Sequence, residues 1–131
     1  MAAPVDAKFL KSHEWARKDG ETAEFGVSDF AIEQLNHEIV YLELPSVGQN
    51  VTAGETFGVI EAVKAASDLY APLSGKVIAV NDAAVNDPMI VAQKPFAAGW
   101  LIKISLADAG EWDSLLSSEE YTKLIESGEA H

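Results

Sequence analysis

Short apolar runs cut by glycine- and proline-bearing reversals make up most of this chain, and they restrict it to antiparallel β-architecture. The runs are 38–44 (EIVYLEL), 56–63 (TFGVIEAV), 76–80 (KVIAV) and 100–105 (WLIKIS). Between them stand Pro45-Ser46-Val47-Gly48, Ala53-Gly54, Pro72-Leu73-Ser74-Gly75 and Ala97-Ala98-Gly99. Proline pre-sets one turn dihedral and glycine reaches the left-handed one, so each cluster can reverse the chain. Reversals every ~8–12 residues predict a sandwich or barrel rather than a parallel sheet. An internal echo agrees with a quasi-symmetric β-fold: 58–63 (GVIEAV) and 75–80 (GKVIAV) flank 64–74, two similar strands around a short reversal.

Helices are expected to be few and peripheral. Ser28-Asp29 can cap a short one running to about Asn36. A second is expected over 108–116, with Trp112, Leu115 and Leu116 at helical spacing. The clearest is C-terminal. Ser117 and Glu120 form a capping box, Tyr121, Leu124 and Ile125 an apolar stripe, and Gly128 a stop, after which the last residues should fray. The 131 residues read as one domain, 1–131, with a C-terminal helical extension over about 106–127.

Charge and composition remove several function classes. With 9 basic against 21 acidic residues the net charge is −12, which repels phosphate backbones and anionic lipid. No apolar run reaches the ~18 residues of a membrane span. The opening eight residues hold no basic region followed by an apolar stretch, so no secretory signal is expected. There is no cysteine, hence no disulfide, thiolate metal site or cysteine nucleophile. His13, His37 and His131 are scattered and read as surface residues rather than metal ligands, and Glu119-Glu120 belong to the helix cap. Phosphate loops, dinucleotide fingerprints, HExxH and nucleophile elbows are all missing.

One segment stands out, Glu61-Ala62-Val63-Lys64-Ala65-Ala66-Ser67-Asp68. Lying between two apolar strands, Lys64 should sit at or near the tip of a hairpin. Its small neighbours leave the amine unobstructed, and Glu61 and Asp68 bracket it. By itself this is equally a solvated lysine with two weak ion-pair partners.

The octapeptide resembles the lipoylation motif, ESVKAxSD, of the glycine cleavage system H-protein family. Ser12-His13-Glu14-Trp15 resembles that family's (S/T)HEW, and 40–48 (VYLELPSVG) its VxVELPxVG strand and turn. The stretch 70–75 (YAPLSG) resembles its YAPxSG return, and 99–104 (GWLIKI) its GWxxKI strand. These blocks are collinear and cover roughly residues 8 to 125. The chain departs from the pattern at Leu35-Asn36-His37-Glu38, which has no glycine and one extra residue. It departs again at Ala97-Ala98, where the family has Gly-Glu, and at Ala62, where it has serine. Asparagine tolerates a left-handed backbone, so the first turn can survive.

The resemblance implies a mainly β lipoyl/biotinyl-carrier fold: a barrel-sandwich hybrid of two small antiparallel sheets, with peripheral short helices and a C-terminal helix. It implies a carrier, not an enzyme, with lipoate attached covalently to Lys64 by a lipoate ligase or lipoyl/octanoyl transferase. The implied partners are glycine decarboxylase, aminomethyltransferase and dihydrolipoyl dehydrogenase, visited in turn by a monomer that moves the aminomethyl group of glycine. Ser12, Glu14 and Asp68 are the candidates to line a cleft for the loaded arm. Read otherwise, Ser12 caps a turn, Glu14 is solvated and Asp68 pairs with a lysine. The implied compartment is the bacterial cytoplasm, or the mitochondrial matrix if a transit peptide has been removed. The alternatives are an H-like lipoate donor or relay, an interaction module with an unmodified Lys64, and the lipoyl domain of a 2-oxoacid dehydrogenase complex. That last class usually has Asp-Lys-Ala where this chain has Val63-Lys64-Ala65, and a biotin carrier would have Met-Lys-Met.

Overall fold

The structure, a computed structural model, describes residue 4 and residues 6–128. His131, the expected fraying of the last residues and half of the opening eight residues read for a targeting signal lie outside the described residues. Two antiparallel sheets face one another. The smaller is three-stranded, in the order β4 (Ile39–Glu43), β6 (Thr56–Ala62), β7 (Ala66–Tyr70). The larger runs β10 (Leu116–Ser117), β1 (Ala7–Phe9), β2 (Glu14–Asp19), β3 (Thr22–Val27), β9 (Ile102–Leu106), β8 (Gly75–Val80), β5 (Asn50–Val51). The expected sandwich of antiparallel sheets is therefore present.

Strand alternation explains why there are two cores. In the β2–β3 pair, Ala16 lies opposite Phe25 and Trp15 opposite Gly26. Ala16 and Phe25 face inward, with Ile60 and Leu69 of the small sheet and Ile102 and Ile104 of β9. Burying a branched or aromatic side chain of this size contributes about 1.5–3 kcal/mol. Trp15 points to the opposite face, where Phe9 and Tyr121 pack with it. Its indole lies across Gly26, so a Cβ there would collide with the ring. That second core is roofed by α4 (Ser118–Glu126), whose Tyr121 stacks on Phe9 with ring centroids 4.2 Å apart. The Ser117–Glu120 capping box and the left-handed Gly128 (φ 77°) form as expected.

Three expectations need correction. The segment after Asp108 is a 3-10 turn, Ala109–Ser114, and not a helix to residue 116. Leu116 instead enters β10 and pairs with Phe9, because the edge of β1 offers hydrogen bonds that a longer helix would forgo. The two echoing segments do not form one hairpin: 58–63 belongs to the small sheet and 75–80 to the large one. The partner of β6 is β7, which periodicity hides because only Leu69 of its five residues is buried. His13 is not a surface residue, being buried, as the site geometry requires.

The departure at 35–38 is accommodated as expected. α1 (Asp29–Gln34), capped by Ser28, ends in two consecutive left-handed residues, Asn36 (φ 57°) and His37 (φ 59°). The short helices α2 (Asp82–Asn86) and α3 (Met89–Gln93) were not expected from the sequence.

Candidate functional site

β6 and β7 pair in register from Val59–Asp68 to Glu61–Ala66, which leaves Val63-Lys64-Ala65 as the connection. The Ala62 N–H donates to the Ala65 carbonyl at 2.7 Å, closing the turn, and the Val63 N–H donates to the Glu38 carbonyl at 3.2 Å. Lys64 is thus held at the hairpin tip, exposed, with exposed neighbours on both sides. Among the described residues no ion pair engages it, so Glu61 and Asp68 do not clamp the amine.

Glu14 is placed by an unusual backbone. His13 adopts a left-handed φ of 86°, which turns the chain sharply before β2 begins. The turn drives the Glu14 side chain inward to 2% exposure, which excludes the solvated reading. Ser12 Oγ donates to Glu14 Oε1, and the Tyr70 N–H on the edge of β7 donates to Glu14 Oε2 at 2.8 Å. Burial lifts the carboxyl from 4.5 to about 7, and the hydrogen bonds from Ser12 and Tyr70 resist that shift.

Ser12, Glu14 and Asp68 meet on one cleft of about 250 Å³. Val27, Ala31, Leu35, Ile60 and Leu69 give its walls aliphatic surface, and Ser12, Glu14, Gln34, Ser67 and Asp68 add polar groups. Asp68 lines it as an exposed residue without an ion pair among the described residues. A second cleft of about 170 Å³, lined by Lys64, adjoins the first through the shared residues Gln34 and Leu35. The α1 wall was missed in the sequence. Ala31 and Leu35, four apart after a capping serine, were the available signal. A larger recess of about 410 Å³ between residues 41–47 and α2 includes none of these groups. No group of three or more His, Asp or Glu able to hold a metal occurs among the described residues.

A lysine held out at a hairpin tip, beside a narrow cleft that ends in a buried carboxylate, is the layout of a carrier domain that presents an attached arm. The profile described as glycine cleavage H-protein matches residues 7–128. The chain is 48% identical over 123 residues to the glycine cleavage system H protein of Carboxydothermus hydrogenoformans, covering 94% of each. It is 45% identical over 125 residues to the mitochondrial glycine cleavage system H protein 2 of Arabidopsis thaliana, covering 95% of this chain and 80% of that one. Among solved structures, a glycine cleavage system H protein from Mycobacterium marinum superposes with a TM-score of 0.85 at 37% identity, covering 96% and 99% of the two chains. The chain belongs to the glycine cleavage H-protein family. It is the non-catalytic lipoyl carrier of the glycine cleavage system, and the other proteins of that system are its partners. The lipoyl domain of a 2-oxoacid dehydrogenase complex is thereby set aside. No described helix is long and apolar enough to cross a membrane.

Proposed function

We propose that residues 1–131 act as one carrier domain in which Lys64 bears the lipoyl group and the Ser12–Glu14–Asp68 cleft shelters it between partners. The observation that carries this reading is the shared wall of Gln34 and Leu35, which joins the Lys64 tip to the Glu14 cleft. The residues present suit the group. The cleft's aliphatic walls match a hydrocarbon arm, and its buried carboxylate matches a cationic amine. When bound, the lipoyl group supplies a disulfide that takes up the aminomethyl unit of glycine with its own reduction. Lys64 Nζ anchors the arm by an amide formed by a lipoate ligase or lipoyl/octanoyl transferase. Ala31, Leu35 and Leu69 exclude water from it.

Glu14 and Asp68 hold the cargo nitrogen protonated. Loss of ammonia and formaldehyde needs a free nitrogen lone pair, so protonation slows it. A charge-assisted contact contributes about 1.5–3 kcal/mol, which is roughly ten- to somewhat over a hundredfold in rate. Glu14→Ala and Asp68→Ala should therefore shorten the lifetime of the purified aminomethyl-loaded carrier, followed by mass, while leaving lipoylation intact. Wild-type lifetimes in both variants would remove these residues from the site.

The carrier visits glycine decarboxylase, aminomethyltransferase and dihydrolipoyl dehydrogenase as a monomer, in the bacterial cytoplasm or the mitochondrial matrix. Strand register supports docking by charge. Glu43, Val59 and Asp68 lie in one row across the small sheet, and Tyr41, Glu61 and Ala66 in the row two residues on, so carboxylates flank the face that ends in Lys64. With a net charge of −12, kcat/KM toward glycine decarboxylase should fall as ionic strength rises. A flat profile would leave the acidity a role in solubility alone.

A further inference from the structure

The arm cleft has two walls, residues 12–14 at the start of β2 and helix α1, and a single buried hydroxyl from the far end of the chain touches both. Tyr121 Oη lies 2.7 Å from His13 Nδ1 and 2.7 Å from Ser28 Oγ. His13 stands between Ser12 and Glu14, which both line the cleft. Ser28 is the N-cap of α1, its Oγ accepting from the Ala31 N–H at 3.2 Å, and α1 carries the wall residues Ala31 and Gln34. The Ser28 N–H donates in turn to the His13 carbonyl at 2.9 Å. Tyr121 itself does not line the cleft. It comes from α4, wholly buried and stacked on Phe9.

We infer that Tyr121 is a positioning residue of the carrier: its hydroxyl ties the C-terminal helix to both walls of the arm cleft and holds Glu14 at its working place. This rests on the cleft reading given above. The polarity that uses each hydroxyl hydrogen runs from Ser28 O–H to Tyr121 Oη and from Tyr121 O–H to His13 Nδ1, with the Ala31 N–H feeding Ser28. Linked in this direction, each bond polarises the next. Burial holds the phenol above its ordinary range, so the hydroxyl stays neutral and able to donate. The phenol ring is already fixed by its stack on Phe9, so the hydroxyl is presented in one place. The capping box that starts α4 sets the helix register and hence Tyr121. In this way one hydroxyl, far in sequence from Lys64, governs how tightly the arm is sheltered.

The test is Tyr121→Phe, which keeps the stack and removes the tie. Amide exchange in the unlipoylated carrier reads each wall separately: Ala31 N–H reports the α1 cap, and Tyr70 N–H, bonded to Glu14, reports the carboxylate. Relative to the Val77 amide on the far side of the large sheet, both should exchange about two- to tenfold faster, the scale of one lost hydrogen bond. Lifetime of the aminomethyl-loaded carrier should shorten by a similar factor, with lipoylation unchanged. Ile125→Ala, which trims a partly buried contact of α4 while the Phe9 stack keeps the Tyr121 hydroxyl in place, should leave the ratios to Val77 and the lifetime as in wild type. Wild-type exchange ratios in Tyr121→Phe would overturn the tie, as would equal effects in Ile125→Ala. Glu14→Ala in the same lifetime assay separates the two readings. Shortening there with none in Tyr121→Phe overturns the tie alone, and no shortening in Glu14→Ala overturns the shelter with it.

Discussion

Lys64→Arg is expected to gain no mass when incubated with lipoate and its ligase, and to support no glycine cleavage with the partner enzymes. Amide formation needs a nitrogen that can shed its proton and attack an activated acyl carbon, and a guanidinium stays charged under all working conditions. The substitution keeps length and charge at an exposed turn, so the hairpin should fold as before. Four other lysines are differently placed. Lys8 and Lys18 lie over the Trp112 ring, Lys103 over Trp100, and Lys123 pairs with Glu119 along α4. None of these four stands on a hairpin tip. Intact mass and peptide mapping decide the matter: modification persisting in Lys64→Arg would show that another lysine is read.

Glu14→Gln should make the unlipoylated carrier more stable at neutral pH while shortening the life of the loaded one. The folded chain holds the Glu14 proton up to about 7, against an ordinary value of 4.5. Between those values the folded state binds more protons than the unfolded, so this contribution to stability is complete below 4.5 and lost as pH rises through about 7. At about 1.4 kcal/mol per pH unit, the whole window is worth about 3 kcal/mol at most. A glutamine in the same place can accept from the Tyr70 N–H and donate to Ser12 Oγ, and it carries no titrating proton. Its denaturant midpoint should therefore be flatter than that of wild type from pH 4.5 to 7. A wild-type slope in Glu14→Gln would mean that other groups supply it. The gain comes at the cost of the carboxylate's affinity for a cationic amine, so stability and shelter should move in opposite directions in one variant.

Much of this was legible in the sequence because it is local. Turn chemistry and short apolar runs specify antiparallel strands wherever the next reversal is a few residues away. The Ser117–Glu120 box and Ser28 cap are read within one helical turn, and the small residues around Lys64 predict an open tip. The resemblance pointed to Ser12, Glu14 and Asp68 as candidates for the cleft. What failed was also local reasoning, applied where pairing partners are remote. β7 has one buried residue in five and becomes a strand only because β6 lies beside it. Leu116 leaves a helical pattern because β1 offers an open edge.

The strand-and-turn pattern, the acidic surface and the exposed lysine follow from residues near one another in the chain, since each depends on chain neighbours and on the energetics of turns and solvation. Tertiary structure alone decided which residues make the cleft. Ser12 and Glu14, α1, and β7 come from three separate segments, and only packing brings their side chains around one cleft. It also decided the state of Glu14. A glutamate reads as solvated until the left-handed turn at His13 and the opposing sheet remove its water, and desolvation is a property of the whole fold.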